Sequence, residues 1–420
     1  MRSQIEGSQA VARAVTLCRP GVIAAYPISP QTHIVESLSD RVRTGELAHC
    51  EYLMVESEFG AMSACIGASG AGARSYTATS SQGLLFMAEA LFNASGLGLP
   101  IVMTLANRAI GAPINIWNDH SDAMSMRDSG WIQLFAESNQ EAVDLHIQAF
   151  RLAETLSVPV MVCMDGFVLT HAFEQVDLPT QEQVDAFLPP FIPQQSLDPT
   201  DPVTIGAMVG PEAFTEVKYL MHAKQMEALD LVPQLADEFD EAFGRRSGGL
   251  LKPYRLEDAE TVVVALGSVL GTIEEVVDAM RDEGLALGAL GITCFRPWPG
   301  AEVREALSGA KRVVVVEKAF AVGAGGIVGQ NTRDATRGLP VEVYDVVGGL
   351  GGRPISRASV RALLDEVLGG QLDPHRLHFL DLDLDRVQRE MERSRHGERP
   401  GPHAEHMLRD LGAVASGTNE

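Results

Sequence analysis

The stretch EYLMVESEFGAMSACIGASGAGARSYTATSSQGLLFMAEALFNASGLGLPIVMTL, residues 51–105, decides the fold class. Three short apolar runs, Tyr52–Val55, Ser75–Thr79 and Pro100–Leu105, are separated by two Gly/Ala-rich segments of helical period, about Ser57–Ala71 and Gln82–Gly96. Short apolar runs bounded by turn residues read as strands buried on both faces. Strands that alternate with helices in this way form a parallel sheet covered by helices on each side. Ligands of such sheets bind in the loops at the carboxyl ends of the strands.

The same rhythm extends outward. Gly7–Cys18 has helical periodicity and stops at Pro20-Gly21, and Val22–Tyr26 is a further buried-strand run. Pro27 and Pro30 fix an irregular loop before a helix restarts over Thr32–Leu38. Downstream, Ala106–Asp128 is a long stretch rich in Asn, Asp, Pro and Gly, a length at which loops carry function. A helix over Asn139–Leu156 and a strand over Val158–Met164 complete the unit. Prolines cluster over residues 178–210, which reads as a linker or surface excursion, and a charged helix spans Glu212–Phe243. A second α/β unit begins near Asp258, with strands Thr261–Leu266, Gly291–Phe295 and Arg312–Val316 and a helix Thr272–Glu283. After Pro374 the chain is charged and helical, strongly so over Arg386–Arg395, and its Gly/Ser/Asn end is expected to fray. The divisions expected are residues 1–245, 246–372 and 373–420.

Bulk composition narrows the function. With 45% hydrophobic and 21% charged residues in 420, the chain suits a globular protein of two or three domains. Lys plus Arg number 33 against 56 Asp plus Glu, a formal charge of −23, which argues against nucleic acid and anionic membranes as partners. Cys18, Cys50, Cys65, Cys163 and Cys294 never approach CxxC spacing, so no iron–sulfur cluster, zinc site or disulfide framework is expected within the chain. Free thiols, no signal-peptide pattern and no membrane-length apolar run point to the cytoplasm.

Three segments, each after an expected strand, have the residue types for chemistry. In Tyr26-Pro27-Ile28-Ser29-Pro30 two prolines hold one hydroxyl in a stiff loop; alone, an ordinary turn is the better reading. In Val55-Glu56-Ser57-Glu58-Phe59-Gly60-Ala61 both acids precede or begin a helix, where a carboxylate complements the dipole. That suffices for Glu56. Glu58 sits among Ala, Gly, Met, Cys and Ile, where a buried carboxylate needs a partner, and a proton-sharing ligand is one. The third segment runs from Asn107-Arg108-Ala109 to Asn118-Asp119-His120-Ser121-Asp122. Arg108 offers a fork suited to a carboxylate, or a structural ion pair. The Asp119, His120 and Asp122 spacing matches no strong metal pattern and reads as a hydrogen-bonded loop. No Walker A or GxSxG motif is present, and Gly323–Gly329 is only a loose relative of a dinucleotide fingerprint.

Taken in order, YPISP (26–30), ESEFGA (56–61), TSSQGL (79–84), NRAIGAP (107–113), NDHSD (118–122), RDSGW (127–131) and DGF (165–167) resemble the 2-oxoacid:ferredoxin oxidoreductase family, in particular the alpha subunit of its pyruvate branch. ALGS (265–268), FRPWP (295–299) and VVVEKAFAVGAGG (314–326) resemble the family's transketolase C-terminal-like domain. The resemblance implies a thiamine-diphosphate-binding, pyrimidine-type parallel-sheet domain followed by that second α/β domain. It implies oxidative decarboxylation of pyruvate with CoA to acetyl-CoA and CO2, reversibly, with electrons to ferredoxin. It implies that Glu58 bonds the aminopyrimidine ring nitrogen, that Pro27, Ile28 and Ser29 line the cofactor, and that Ser29 and Arg108 contact the substrate. Ser29 stands where threonine is commonest, so 2-oxoisovalerate, 2-oxoglutarate and oxalate stay open as substrates. A non-catalytic nucleotide-binding scaffold built on the 323–329 turn is the distant alternative. The chain lacks the family's GDG motif, which implies that a beta subunit holds the diphosphate, Mg2+ and a 4Fe-4S cluster. A ferredoxin-like delta subunit and a gamma subunit are then the other partners.

Overall fold

The structure is a computed structural model that describes residues 2–202, 204–395 and 403–412. In chain order its strands are β1 (Arg2–Glu6), β2 (Val22–Ala25), β3 (Glu51–Met54), β4 (Ser75–Thr79), β5 (Ile101–Asn107), β6 (Ile132–Phe135), β7 (Val160–Asp165), β8 (Phe173–Asp177), β9 (Leu251–Tyr254), β10 (Thr261–Ala265), β11 (Leu287–Ile292), β12 (Cys294–Arg296), β13 (Arg312–Glu317), β14 (Glu342–Val347) and β15 (Leu377–Phe379). The helices are α1 (Gly7–Leu17), α2 (Thr32–Arg43), α3 (Glu58–Gly70), α4 (Ser81–Phe86), α5 (Ala88–Gly96), α6 (Ser121–Ser125), α7 (Asn139–Leu156), α8 (Gln181–Phe187), α9 (Phe214–Phe243), α10 (Val269–Asp282), α11 (Gly300–Leu307), α12 (Ile327–Ala335), α13 (Arg357–Leu368), α14 (Leu384–Arg395) and α15 (His403–Asp410).

Two mostly parallel sheets organise the chain. The first has the order β12-β6-β7-β5-β4-β2-β3, and the second β15-β14-β13-β10-β11-β9. Only β12 in the first and β9 in the second run antiparallel to their neighbours. A small antiparallel pair, β1 with β8, closes the amino-terminal side. The strand β12 comes from the middle of the 246–372 segment yet completes the first sheet, and β15 from the 373–420 segment completes the second. The Gly/Ser/Asn end expected to fray, residues 413–420, lies outside the described residues.

Strand periodicity explains the layering, because successive side chains point to opposite faces. In β5, Val102 joins one core with α1, α2, α7 and α9, while Ile101, Met103 and Leu105 join another with α3, α4 and α5. In β10 and β13, Val262, Val264, Val313 and Val315 face that same second core, and Val263, Val314 and Val316 face a third with α10 and α13. One hydrophobic core is therefore shared by both sheets. Most expected elements form, with departures: the strand expected over Gly291–Phe295 is divided between the end of β11 and β12 in separate sheets, and α8 stands inside the proline-rich stretch 178–210. The helix expected over Gln82–Gly96 divides at Met87 into α4 and α5, and α2 runs on to Arg43. Strands β6, β9 and β14 escape a pattern reading because they are short or mix charge into the run. Among the described residues no helix is long and apolar enough to cross a membrane.

Candidate active site

Strands β3, β2, β4, β5 and β7 lie close together in the first sheet, and their carboxyl ends carry the sequence motifs to one edge. After β3, Ser57 caps α3, its hydroxyl accepting from the Gly60 N–H at 3.1 Å. The helix start is thus already satisfied when Glu58 begins the first turn. Glu58 is 7% exposed, whereas Glu56 points to solvent. Its carboxylate makes no hydrogen bond or ion pair among the described residues. It rests against Gly83 of α4: a Cβ there would lie 2.8 Å from the Glu58 Oε1 and 2.5 Å from the Thr79 Oγ1. The Thr79 hydroxyl is itself buried and unpaired. A buried carboxylate beside an orphaned hydroxyl is a costly arrangement for a chain to keep for packing alone.

After β5, Arg108 is 7% exposed, and burial pulls its guanidinium below the usual range while Asp122 pulls it up. Its Nη1 donates to the Ser29 carbonyl at 2.9 Å and its Nε to the Asn115 carbonyl at 3.2 Å. Arg108 and Ser29 are thus brought together, with the Ser29 side chain and Pro27 exposed and Ile28 half-buried. Buried Gln31 fastens this loop to β4 by donating to the Tyr26 and Ala78 carbonyls at 3.0 and 2.8 Å. Among the described residues no ion pair occupies the Arg108 fork.

Asp122 joins these pieces. Fully buried, it accepts from the backbone N–H of Ser81 (2.9 Å), Arg108 (3.0 Å) and Ala123 (2.8 Å) and from the Asn107 side chain (2.9 Å). Burial pushes its carboxyl up to about 6 against those four donors. One carboxylate therefore sets the spacing between the α4 loop beside Glu58 and the backbone of Arg108. Asp119 instead accepts from the Ser121 N–H and hydroxyl and from the Gly351 N–H. The Asp119–Asp122 segment is a hydrogen-bonded loop, with each acid turned to a different partner.

Three further motifs converge where the sheets meet. Asp165, at the end of β7, accepts from the Lys318 Nζ (2.8 Å), from His120 Nε2 (2.8 Å), and from the N–H (3.0 Å) and hydroxyl of Ser268. Burial alone pushes the Asp165 carboxyl up, but Lys318 and His120 hold it well below the usual range. Sequence reading attaches no role to Asp165, Lys318 or Ser268, because nothing local joins positions so far apart. Breaking a buried pair from one side leaves a charge without compensation, at about 3–5 kcal/mol. Lys318→Met is expected to lose that much stability in urea unfolding, with Asp165→Asn restoring part of it in the double variant. A single variant as stable as the parent would show that the pair is not buried in solution.

The glycine turn at Gly323–Gly329 serves a carboxylate, not a phosphate. Glu317 accepts from the N–H groups of Ile327 (2.8 Å), Val328 (3.0 Å) and Gly329 (3.0 Å), filling the amino terminus of α12. Side chains at Gly326 or Gly329 would overlap Glu317 or Asp345. The nucleotide-binding alternative loses its donors to Glu317. The cysteines are buried, and burial pushes Cys50 up to about 11 and Cys65 and Cys294 up to about 12. Such thiols stay protonated and are poor cluster ligands.

Residues 13–237 match the family described as "Pyruvate flavodoxin/ferredoxin oxidoreductase, thiamine diP-bdg", and residues 259–360 match "Pyruvate:ferredoxin oxidoreductase core domain II". The chain belongs to the pyruvate:ferredoxin oxidoreductase family. Among curated relatives it is 50% identical over 368 residues to pyruvate synthase subunit PorA of Methanosarcina barkeri, covering 86% of this chain and 91% of that one. It is 44% identical over 390 residues to the PorA subunit of Thermotoga maritima, covering 91% and 98%. Ketoisovalerate oxidoreductase subunit VorA of Pyrococcus horikoshii is 39% identical over 380 residues, covering 89% and 96%. The fold is shared with 2-oxoglutarate:ferredoxin oxidoreductase from Magnetococcus marinus, at a TM-score of 0.65 and 20% identity, covering 87% of this chain and 65% of that one. The first domain is thus of the family's thiamine-diphosphate-binding kind, in keeping with the fold class expected from sequence.

The residues at the sheet edge fit one end of that cofactor. The carboxylate of Glu58, without a partner among the described residues, and the space that Gly83 leaves suit the ring-nitrogen edge of an aminopyrimidine, where one proton lies between carboxylate and nitrogen.

Proposed function

We propose that this chain is the alpha subunit of a pyruvate:ferredoxin oxidoreductase, converting pyruvate and CoA to acetyl-CoA and CO2 with electrons to ferredoxin, reversibly. The observation that carries the reading is Glu58, a buried carboxylate with no partner among the described residues, at the carboxyl edge of a thiamine-diphosphate-type sheet. When bound, thiamine diphosphate supplies the electron sink for decarboxylation. Glu58 holds the proton shared with the aminopyrimidine ring nitrogen, Arg108 takes the substrate carboxylate, and the Ser29 hydroxyl touches the substrate beside it. Pro27 and Ile28 hold the wall of the cofactor pocket.

The site is one half of a whole. Beside Glu58, Leu53, Met54, Phe59 and Phe86 are 41%, 60%, 39% and 59% exposed, an apolar border suited to another subunit. We assign to a beta subunit the diphosphate, Mg2+ and a 4Fe-4S cluster, and to gamma and ferredoxin-like delta subunits the rest of the complex. The assignment of residues 1–245 to pyrimidine binding, 246–372 to the transketolase-like domain and 373–420 to a tail belongs to the same reading. Pyruvate is preferred over 2-oxoisovalerate because PorA relatives reach 50% identity and the VorA relative 39%.

A 2-oxoacid screen of the purified complex with CoA and a viologen dye tests this. Pyruvate is expected to give the highest kcat/KM. A higher value with 2-oxoisovalerate or 2-oxoglutarate reassigns the substrate, and no dye reduction with any 2-oxoacid overturns the whole reading.

A further inference from the structure

Beside the Ser29 loop, three side chains from separate elements meet. Glu6 ends β1, His33 lies in the first turn of α2, and His171 follows β7 in the turn that leads to β8. One donor atom of each lies within 4.8 Å of the others. The His33 Nδ1 is 2.7 Å from the Glu6 Oε1, and the His33 and His171 rings are 4.7 Å apart.

We propose that Glu6, His33 and His171 bind one divalent cation of the zinc class. Two imidazoles and a carboxylate form a donor set for zinc and its neighbours rather than for calcium or magnesium, which take oxygen. Three donors held about 2.1 Å from one ion lie roughly 3.5 Å from each other, a geometry that small side-chain rotations reach from the distances here. Water completes a four-coordinate shell. The ring of His171 is already oriented, since its Nδ1 pairs with the Thr170 hydroxyl at 2.7 Å. With Nδ1–H given to Thr170, Nε2 carries the lone pair, as in metal-bound histidines steadied by an outer hydrogen bond. A cleft of about 500 Å³ opens beside Glu6 and His33, lined also by Glu36, Asp40, Glu46 and Arg41. Its acidic balance draws cations inward.

The ion's place gives it a structural effect. His33 follows the Pro27–Pro30 loop by three residues, and Gly166, in the same turn as His171, packs so closely on Pro30 that a Cβ would lie 2.6 Å from its ring. A cation here ties β1, α2 and the turn after β7 together beneath the loop that carries Ser29. The ordinary alternative is a Glu6–His33 ion pair with His171 stacked on it.

Titrating Zn2+ into the chelator-treated, tag-free full chain separates the two, and with Co2+ the visible ligand-field spectrum reads the geometry. The expected result is one Zn2+ per chain, a tetrahedral Co2+ spectrum and a higher melting temperature with metal. His33→Gln, on an exposed helix surface, and His171→Gln each weaken Zn2+ binding by roughly 100-fold or more, beyond the roughly 10- to 100-fold of a lost outer partner. The buried cysteines are not competing ligands. Zn2+ binding unchanged in both variants, or no Zn2+ bound by the parent chain at micromolar metal, overturns the site and leaves the ion pair.

Discussion

Glu58→Gln in the reconstituted complex is expected to cut turnover on the order of 10²–10⁴-fold while the complex still assembles. The substitution keeps the shape of the side chain but not its chemistry. An amide cannot carry the shared proton, and it offers a donor where the carboxylate accepts. Structural cost should be small, because Ser57 and not Glu58 caps α3, and among the described residues no group hydrogen-bonds the Glu58 carboxylate. Size-exclusion chromatography and thermal melting separate loss of chemistry from loss of structure. Dye reduction with pyruvate and CoA at saturating thiamine diphosphate gives the rate. Turnover within a few-fold of the parent removes Glu58 from the cofactor, and its unpaired burial then has no chemical explanation.

Arg108→Ala is expected to raise the apparent KM for the 2-oxoacid roughly 10- to 100-fold, the range of one charge-assisted hydrogen bond at about 1.5–3 kcal/mol. The guanidinium already spends two N–H groups on the Ser29 and Asn115 carbonyls, which aims its free edge. Arg108→Lys restores the charge without the fork and should recover only part of the affinity. If the arginine is merely structural, stability falls and KM does not move, and an unchanged KM takes Arg108 out of the substrate site. The buried backbone of Arg108 should stay in place in both variants, since Asp122 holds its N–H and not its side chain.

Much of the site was legible because its signals are local. A strand followed by Glu58 in an apolar helix start, or by Arg108, is visible within ten residues of chain. The burial of Glu58 and the exposure of Glu56 follow from the residues flanking each. Asp122 was legible only as part of a hydrogen-bonded loop. Its four donors come from positions 81 to 123, and no periodicity announces that they converge. The glycine turn at 323–329 is only a loose relative of a phosphate loop in sequence, and what fills its helix terminus, Glu317, stands ten residues before Ile327, outside the turn.

By itself the sequence determined the alternation of strands and helices, the edge at which the ligand loops gather, and the identity of the residues those loops carry. Period and turn chemistry act over one or two turns of chain, so they survive in a string of letters. Only the tertiary structure decided that β12 crosses over to complete the first sheet and that one core serves both sheets. It also decided that Asp165 gathers His120, Ser268 and Lys318 from 45, 103 and 153 residues away. Those outcomes rest on burial: a carboxylate or a strand edge withdrawn from water must find its partners wherever the packed chain brings them.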